Sequence, residues 1–374
     1  MLEKIKPEFI YPTVISSRGS RAMTHGGARM QQVQKSTTSS VTVLFTAAIV
    51  ALFFIGPLVA QIFGAELTEF EVGISAETMT VFPLWMAESG GLYEKQGLKV
   101  QVANMAGGTR GLQVLLSGKV QAMHVGLGPV IQANRQGADL RLIASSSNTI
   151  PFTIFSAPDV KTGADLKGGT IGVSTFGSES DIAVTLALKQ LRLTRKDVTI
   201  VQMASSSQRL AALLTGQVKA APLLEPANTK AREQGLNPLV DLAAANVSWV
   251  FDAVVVKRSY LESHRELLTR FLKAYIAGAY LALSNETKAK DLIALKFKTH
   301  DPKVINASYH DFKRQMPLDA EPSRAGAENV IEQLQAIGTS VGSKNVEDYL
   351  DTSIIQTLKK DGFFSALKRQ YGME

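Results

Sequence analysis

The chain has 374 residues, no cysteine, 45% hydrophobic and 20% charged residues, and a formal charge of +7. That balance supports a sizeable globular core, while the lack of cysteine excludes disulfides, thiolate metal sites, cysteine nucleophiles and cysteine-linked lipid anchors. Six basic residues (Lys4, Lys6, Arg18, Arg21, Arg29, Lys35) against two acidic ones (Glu3, Glu8) give the first 40 residues +4, which leaves +3 for the rest. The basic excess belongs to this head. No basic cluster with interleaved aromatics follows it, so nucleic acid is not expected as a partner.

Residues 41–63 read VTVLFTAAIVALFFIGPLVAQIF, without a charge. At about 1.5 Å per residue such a helix reaches across a bilayer core, and it has no polar face to suit the surface of a soluble domain. Pro57, Gly64 and Ala65 suit a cleavage region, although no A-x-A stands there. The segment reads first as a cleaved signal peptide and second as a retained anchor. Met1, Met23 or Met30 could begin the chain, and the shorter head from Met30 resembles an ordinary n-region. Positive charge before the apolar run keeps that end in the cytoplasm, so the chain from about Leu67 lies outside, in the periplasm. Membrane contact is expected only through 41–63.

From Phe70 short apolar runs alternate with amphipathic ones. Strands are expected at 70–75, 98–105, 120–126 and 140–146, with helices at 83–97, 109–118 and 129–137 between them. A second series follows: strands at 151–156, 170–174, 198–203, 219–224 and 238–242, helices near 179–192, 206–216 and 226–235. A strand from 253 then leads into a tail with helices near 262–284, 286–297, 323–337 and 351–368. This alternation implies βαβ units and a mainly parallel sheet. LQVLLSGKVQAMHVG (112–126) is echoed by LAALLTGQVKAAPLL (210–224), which suggests two lobes of like architecture.

Four motifs stand in a fixed order. PLWMAESGGLYEKQGLKV places Pro83, Ala87, Gly91, Leu92, Tyr93, Gly97, Leu98 and Val100; then come GGTRGLQVLLSGKVQAMHVG, DLKGGTIGVSTFGSESD and LLTGQVKAAPLLEP. In this order the chain, from about Phe70 to Ile337, resembles the SsuA/THI5-like (NMT1-type) substrate-binding proteins of ABC importers, which serve nitrate, sulfonates, taurine and thiamine precursors. Two aspartates usual in that family are Gln121 and Lys219 here, and the cysteine-rich motif of its pyrimidine-synthesising branch is absent. The resemblance implies an α/β type II periplasmic-binding-protein fold: two α/β lobes, a hinge and a helical C-terminal tail. The implied organisation is 1–66 head, 67–150 first lobe, 151–250 second lobe, and 251–374 return to the first lobe plus tail helices. It also implies a small-molecule ligand, ABC permease and ATPase partners, no cofactor, and a monomer.

Ligands of open α/β sheets lie beyond the carboxyl ends of strands, where helix N-termini present unpaired N–H groups that suit anions. Segments 76–81, 107–110, 126–129 and 174–180 meet this description. Thr78, Met79, Thr109, Arg110, Gly126, Leu127, Ser174, Thr175, Phe176 and Ser178 are the candidates they supply, with Glu225 and Trp249 from neighbouring strand ends. Arg110 can fork onto an anion or stand solvated; Thr109 and Ser178 can cap helices; Phe176 can stack; Glu225 can take an amine or a hinge bond; Trp249 and Phe251 can equally be core. His124 reads as packed within a strand. No two of the five histidines (25, 124, 264, 300, 310) have metal-ligand spacing, and no G-x-S-x-G or phosphate loop occurs, so neither metal nor catalytic residue is expected. A small anion or aromatic acid, held unchanged, is the expected ligand. A membrane-tethered sensor and a pyrimidine-synthase-type enzyme are the alternatives.

Overall fold

The computed structural model describes residues 66–373. The charge-free segment 41–63 lies outside them, and among the described residues no helix is long and apolar enough to cross a membrane.

The strands form where β-branched and apolar residues cluster: β1 Thr68–Ile74, β2 Leu98–Asn104, β3 Ala122–Val125, β4 Leu140–Thr149, β5 Thr153–Ser156, β6 Thr170–Val173, β7 Thr199–Gln202, β8 Ala220–Leu223, β9 Asn237–Asp241 and β10 Ser248–Lys257. The helices are α1 Phe82–Ser89, α2 Gly108–Leu116, α3 Leu127–Arg135, α4 Gly163–Leu166, α5 Glu179–Gln190, α6 Ser206–Leu214, α7 Ala227–Glu233, α8 Arg258–Ser263, α9 Arg265–Ser284, α10 Glu286–Phe297, α11 Pro302–Gln315, α12 Arg324–Ala336, α13 Ser353–Lys360 and α14 Phe363–Tyr371.

Two five-stranded sheets result, ordered β2-β1-β3-β10-β4 and β7-β6-β8-β5-β9. In each, four strands run the same way and one, β10 or β5, runs antiparallel between two of them. The sheets are therefore mainly parallel, as expected, each with a single reversed strand. The physical reason is the connection: β5 and β10 are the strands entered directly from the other lobe, so each arrives running opposite to its neighbours. The crossings occupy 150–152 and 242–247. The return strand β10 thus begins before position 250, where the second lobe was expected to end.

The first lobe is capped by the tail helices. α9 lays Phe271 against Phe70, with ring centroids 4.6 Å apart, and against Tyr93 in a parallel stack at 6.0 Å. α9 crosses α1 at Gly278, where an added Cβ would stand 2.4 Å from the Pro83 carbonyl oxygen. Only glycine allows that approach. α1 buries all of Phe82 to Ala87, each large apolar side chain contributing about 1.5–3 kcal/mol.

Two expectations for the tail differ from the structure. The segment 351–368 is two helices, because Gly362 turns the chain at φ +74°. α11 was not anticipated: its large apolar residues are few, and Val304, Tyr309 and Phe312 carry the buried stripe. Its start is nonetheless written in Asp301, whose carboxylate accepts from Lys303 N, and in Pro302 at the first turn.

Candidate functional site

Between the lobes lies a cavity of about 50 Å³, lined by Ser75, Thr78 and Gly126 on one side and by Ser174, Ser178, Glu179, Ser206 and Arg209 on the other. One water takes about 10–15 Å³ by the same measure, so the space suits a group of a few heavy atoms. Phe152, Leu224 and Phe251 supply an apolar wall.

Arg209 is the unusual residue. α6 starts in a reciprocal capping box between Ser205 and Gln208, which fixes the helix phase and turns Arg209 inward, where it is 3% exposed. Its Nε donates to Pro222 O (2.9 Å), Nη1 to Met203 O (3.1 Å) and Nη2 to Ser206 Oγ (3.0 Å). All three acceptors are neutral. A guanidinium has five N–H groups, so two remain to be satisfied. Among the described residues no carboxylate neutralises it; burial alone acts on it, pushing its pKa down to about 9, so it stays charged at neutral pH. A buried charge without a counter-ion is costly, and a small anion in the cavity would supply the missing partner.

Beside it, the hydroxyls of Ser174, Ser178 and Ser180 form a triangle with edges of 2.8–2.9 Å at the start of α5. Ser178 caps the helix, accepting from Asp181 N. The box is not reciprocal, because the Asp181 carboxylate instead accepts from Gly177 N and pairs with Arg195 at 2.6 Å.

Glu179 reaches across the cleft. Its Oε1 accepts from Gly128 N (2.9 Å) and its Oε2 from Trp249 Nε1 (3.0 Å). Burial pushes its pKa up to about 8, against the opposing pull of these two N–H groups, and Asp252 adds to the rise. Asp252, also on the cavity wall, accepts from Thr80 Oγ1 at 2.5 Å. Its Oδ1 lies 2.8 Å from His124 Nδ1, out of line with the ring N–H, so the pair is a close contact rather than a formed hydrogen bond. His124 Nε2 meets Tyr275 OH at 3.0 Å. His124 is thus a packed core histidine.

Of the residues singled out by sequence, Thr78, Gly126, Ser174 and Ser178 line the cavity. The segments 107–110 and 174–180 meet across the cleft. Thr109 donates to Phe176 O at 3.0 Å, and a Cβ on Gly107 would stand 2.5 Å from Thr175 Cγ2. The helix cap expected of Thr109 is Gly107, at φ 141°. Arg110 is exposed because Gly108, Gly111, Leu112 and Leu115 turn the other face of α2 inward. Met79 and Leu127 are buried in the core and Phe176 is 49% exposed; none of the three borders the cavity. The α3 start at 126–129 faces the cleft, but Glu179 occupies its Gly128 N–H. Trp249 is core and touches the site through Glu179. Glu225 borders a separate hollow of about 600 Å³ with His310 and Asp311. There it accepts from Thr229 N and Oγ1, and burial pushes it up to about 6.

The sequence reading passes over Arg209 and Asp252 and gives Glu179 only as an acid at a helix start, where it suits the dipole. For Arg209 a signal existed: Ser206, Arg209, Leu210 and Leu213 follow the i, i+3, i+4, i+7 stripe of a helix face, so the arginine stands where an apolar residue belongs.

The chain is similar to known proteins in sequence and in fold. Two chains of Bacillus subtilis (strain 168) are similar in sequence. "Putative binding protein YtlA" is 26% identical over 69% of this chain and 80% of its own length. "Putative aliphatic sulfonates-binding protein" is 26% identical over 64% and 73%. Among solved structures, the alkanesulfonate-binding protein SsuA from Xanthomonas axonopodis pv. citri, bound to MOPS, superposes with a TM-score of 0.64 at 18% identity, covering 77% of this chain and 99% of that one. The family described as NMT1/THI5 like matches residues 78–289, more than half of the sequence, and the chain belongs to it.

Proposed function

We propose that this chain is the solute-capturing component of an ABC importer, which closes two lobes on a small anion, hands it to permease and ATPase subunits, and changes no bond in it. The observation that carries this reading is the interlobe cavity with the buried, uncompensated Arg209 on its wall. Sulfonate, carboxylate and nitrate match it in charge, and the apolar wall of Phe152, Leu224 and Phe251 suits a short organic body. The names of the relatives and of the structural neighbour point to the same class. The site chemistry also favours capture over turnover: the hydroxyls near Arg209 are engaged with one another, and the His124–Asp252 contact faces Tyr275 rather than any of them.

A thermal-shift panel tests the reading, since a ligand that binds the folded state raises the melting temperature. Short alkanesulfonates, carboxylates or nitrate are expected to raise it and to be recovered unchanged. Stabilisation by cations or neutral sugars alone overturns the reading. The charge-free segment 41–63 after a basic head supports export of the binding lobes to the outer side of the membrane, and mass measurement of the mature N-terminus separates a cleaved signal from a retained anchor.

A further inference from the structure

We infer that Glu179 is a positioning residue for closure, a latch that reaches from the second lobe to Gly128 and Trp249 of the first and holds the cleft shut. The inference rests on the reading of the lobes as a pair that closes on a solute.

The geometry is specific. Glu179 is the first residue of α5, directly after its cap. Its two carboxyl oxygens meet two donors that both belong to the first lobe, one at the start of α3 and one near the start of β10. The first lobe makes room for it: a Cβ would stand 2.3 Å from Oε1 at Gly126 and 2.9 Å at Gly128. Separation of the lobes breaks both bonds together and returns the carboxyl to water.

Charged groups face the latch from three sides. Asp252 of β10 is the carboxylate that opposes ionisation of Glu179, with His124 of β3 behind it. Arg209 of α6 stands on the shared cavity wall. On α5 itself, Asp181 is already engaged by Arg195. α3 contributes the N–H of Gly128.

In the closed form burial holds the Glu179 proton up to about pH 8, whereas a solvated glutamate releases it near 4.3. Closing therefore takes up a proton between those values. The closed form binds more protons, so closure is fully favoured below the ordinary glutamate pKa and is lost as pH rises through about 8. Within the window one linked proton changes the closing equilibrium by up to about tenfold per pH unit.

The test needs no ligand. The chain has two tryptophans, so indole ¹⁵N labelling of the full chain gives two side-chain signals, and Trp85→Phe leaves that of Trp249. Its N–H resonance is expected to titrate with a midpoint near 8 in the parent and to stay flat in Glu179→Gln. Closure itself is read from spin labels on cysteines introduced at the exposed Lys119 and Lys189, one per lobe, in a chain with no cysteine of its own. Their separation is expected to grow between pH 6 and pH 9 in the parent and not in Glu179→Gln. A flat Trp249 signal in the parent, or the same titration in Glu179→Gln, overturns the latch. If the anion panel finds no ligand, the solute-capture reading falls, while the titration still decides whether Glu179 latches the lobes.

Discussion

In the first lobe, Gly73 of β1 lies under Met123, whose Sδ would stand 2.7 Å from a Cβ placed there, with Met105 beside it. In the second lobe, the equivalent Gly172 of β6 lies under the Arg209 methylenes, with Met203 beside it. The equivalence follows from register: Val72 pairs with Val102 and Ala122, and Ile171 with Ile200 and Ala220. One slot is thus filled from the strand in one lobe and from the helix in the other. Where the first lobe has Gly111 and Met123, the second has Arg209 and Ala221. The exchange keeps the space filled but turns an apolar plug into a charged wall. Two lobes with the same strand order can therefore differ in chemistry by a compensated pair, and only the second brings an uncompensated cation to the cleft.

The comparison can be broken most sharply at Arg209. Arg209→Met makes the second lobe resemble the first. Anion affinity is expected to fall by about 2–5 kcal/mol, roughly thirtyfold or more, as when a buried charge loses its partner. The ligand-free melting temperature is expected to hold or rise, because a buried charge without a counter-ion is replaced by a well-packed apolar chain. Titration calorimetry and a thermal melt read the two opposite signs. Met123→Ala empties the slot of the first lobe and is expected to destabilise by about 2–5 kcal/mol in denaturant titration while leaving anion affinity within about twofold. Gly111→Ala drives a Cβ to 2.0 Å from Met123 Cε. It is expected to destabilise by about 1–3 kcal/mol, with relief when combined with Met123→Ala in a double-mutant cycle. Ser205→Ala removes the cap that sets the phase of α6, and the expected loss is about 1 kcal/mol of stability with a small loss of affinity.

Most elements were legible because apolar runs and glycine stops alternate from Phe70 onward, and the echo of 112–126 in 210–224 suggested two lobes of like architecture. α11 escaped notice, since a helix that buries only three large apolar residues in fourteen gives a weak periodic signal. The site was half legible. Strand ends and helix starts pointed to 76–81, 126–129 and 174–180, and four of the candidate residues there border the cavity. Arg110 drew attention through its place beside two glycines, yet its direction depends on which face of α2 packs, and local sequence does not show that. Glu179 read as an ordinary first-turn acid beside a helix dipole. Its partners, Gly128 and Trp249, lie 51 and 70 residues away, so its cross-cleft role emerges only in three dimensions.

The central claim is that Arg209 waits in the cleft for a negative charge. Titration calorimetry with methanesulfonate, beside dimethyl sulfone as its uncharged analogue, tests it most directly. The account predicts binding of the sulfonate, none of the sulfone, and loss of the difference in Arg209→Met. Equal binding of sulfonate and sulfone, or a preference for the sulfonate that survives in Arg209→Met, would contradict it.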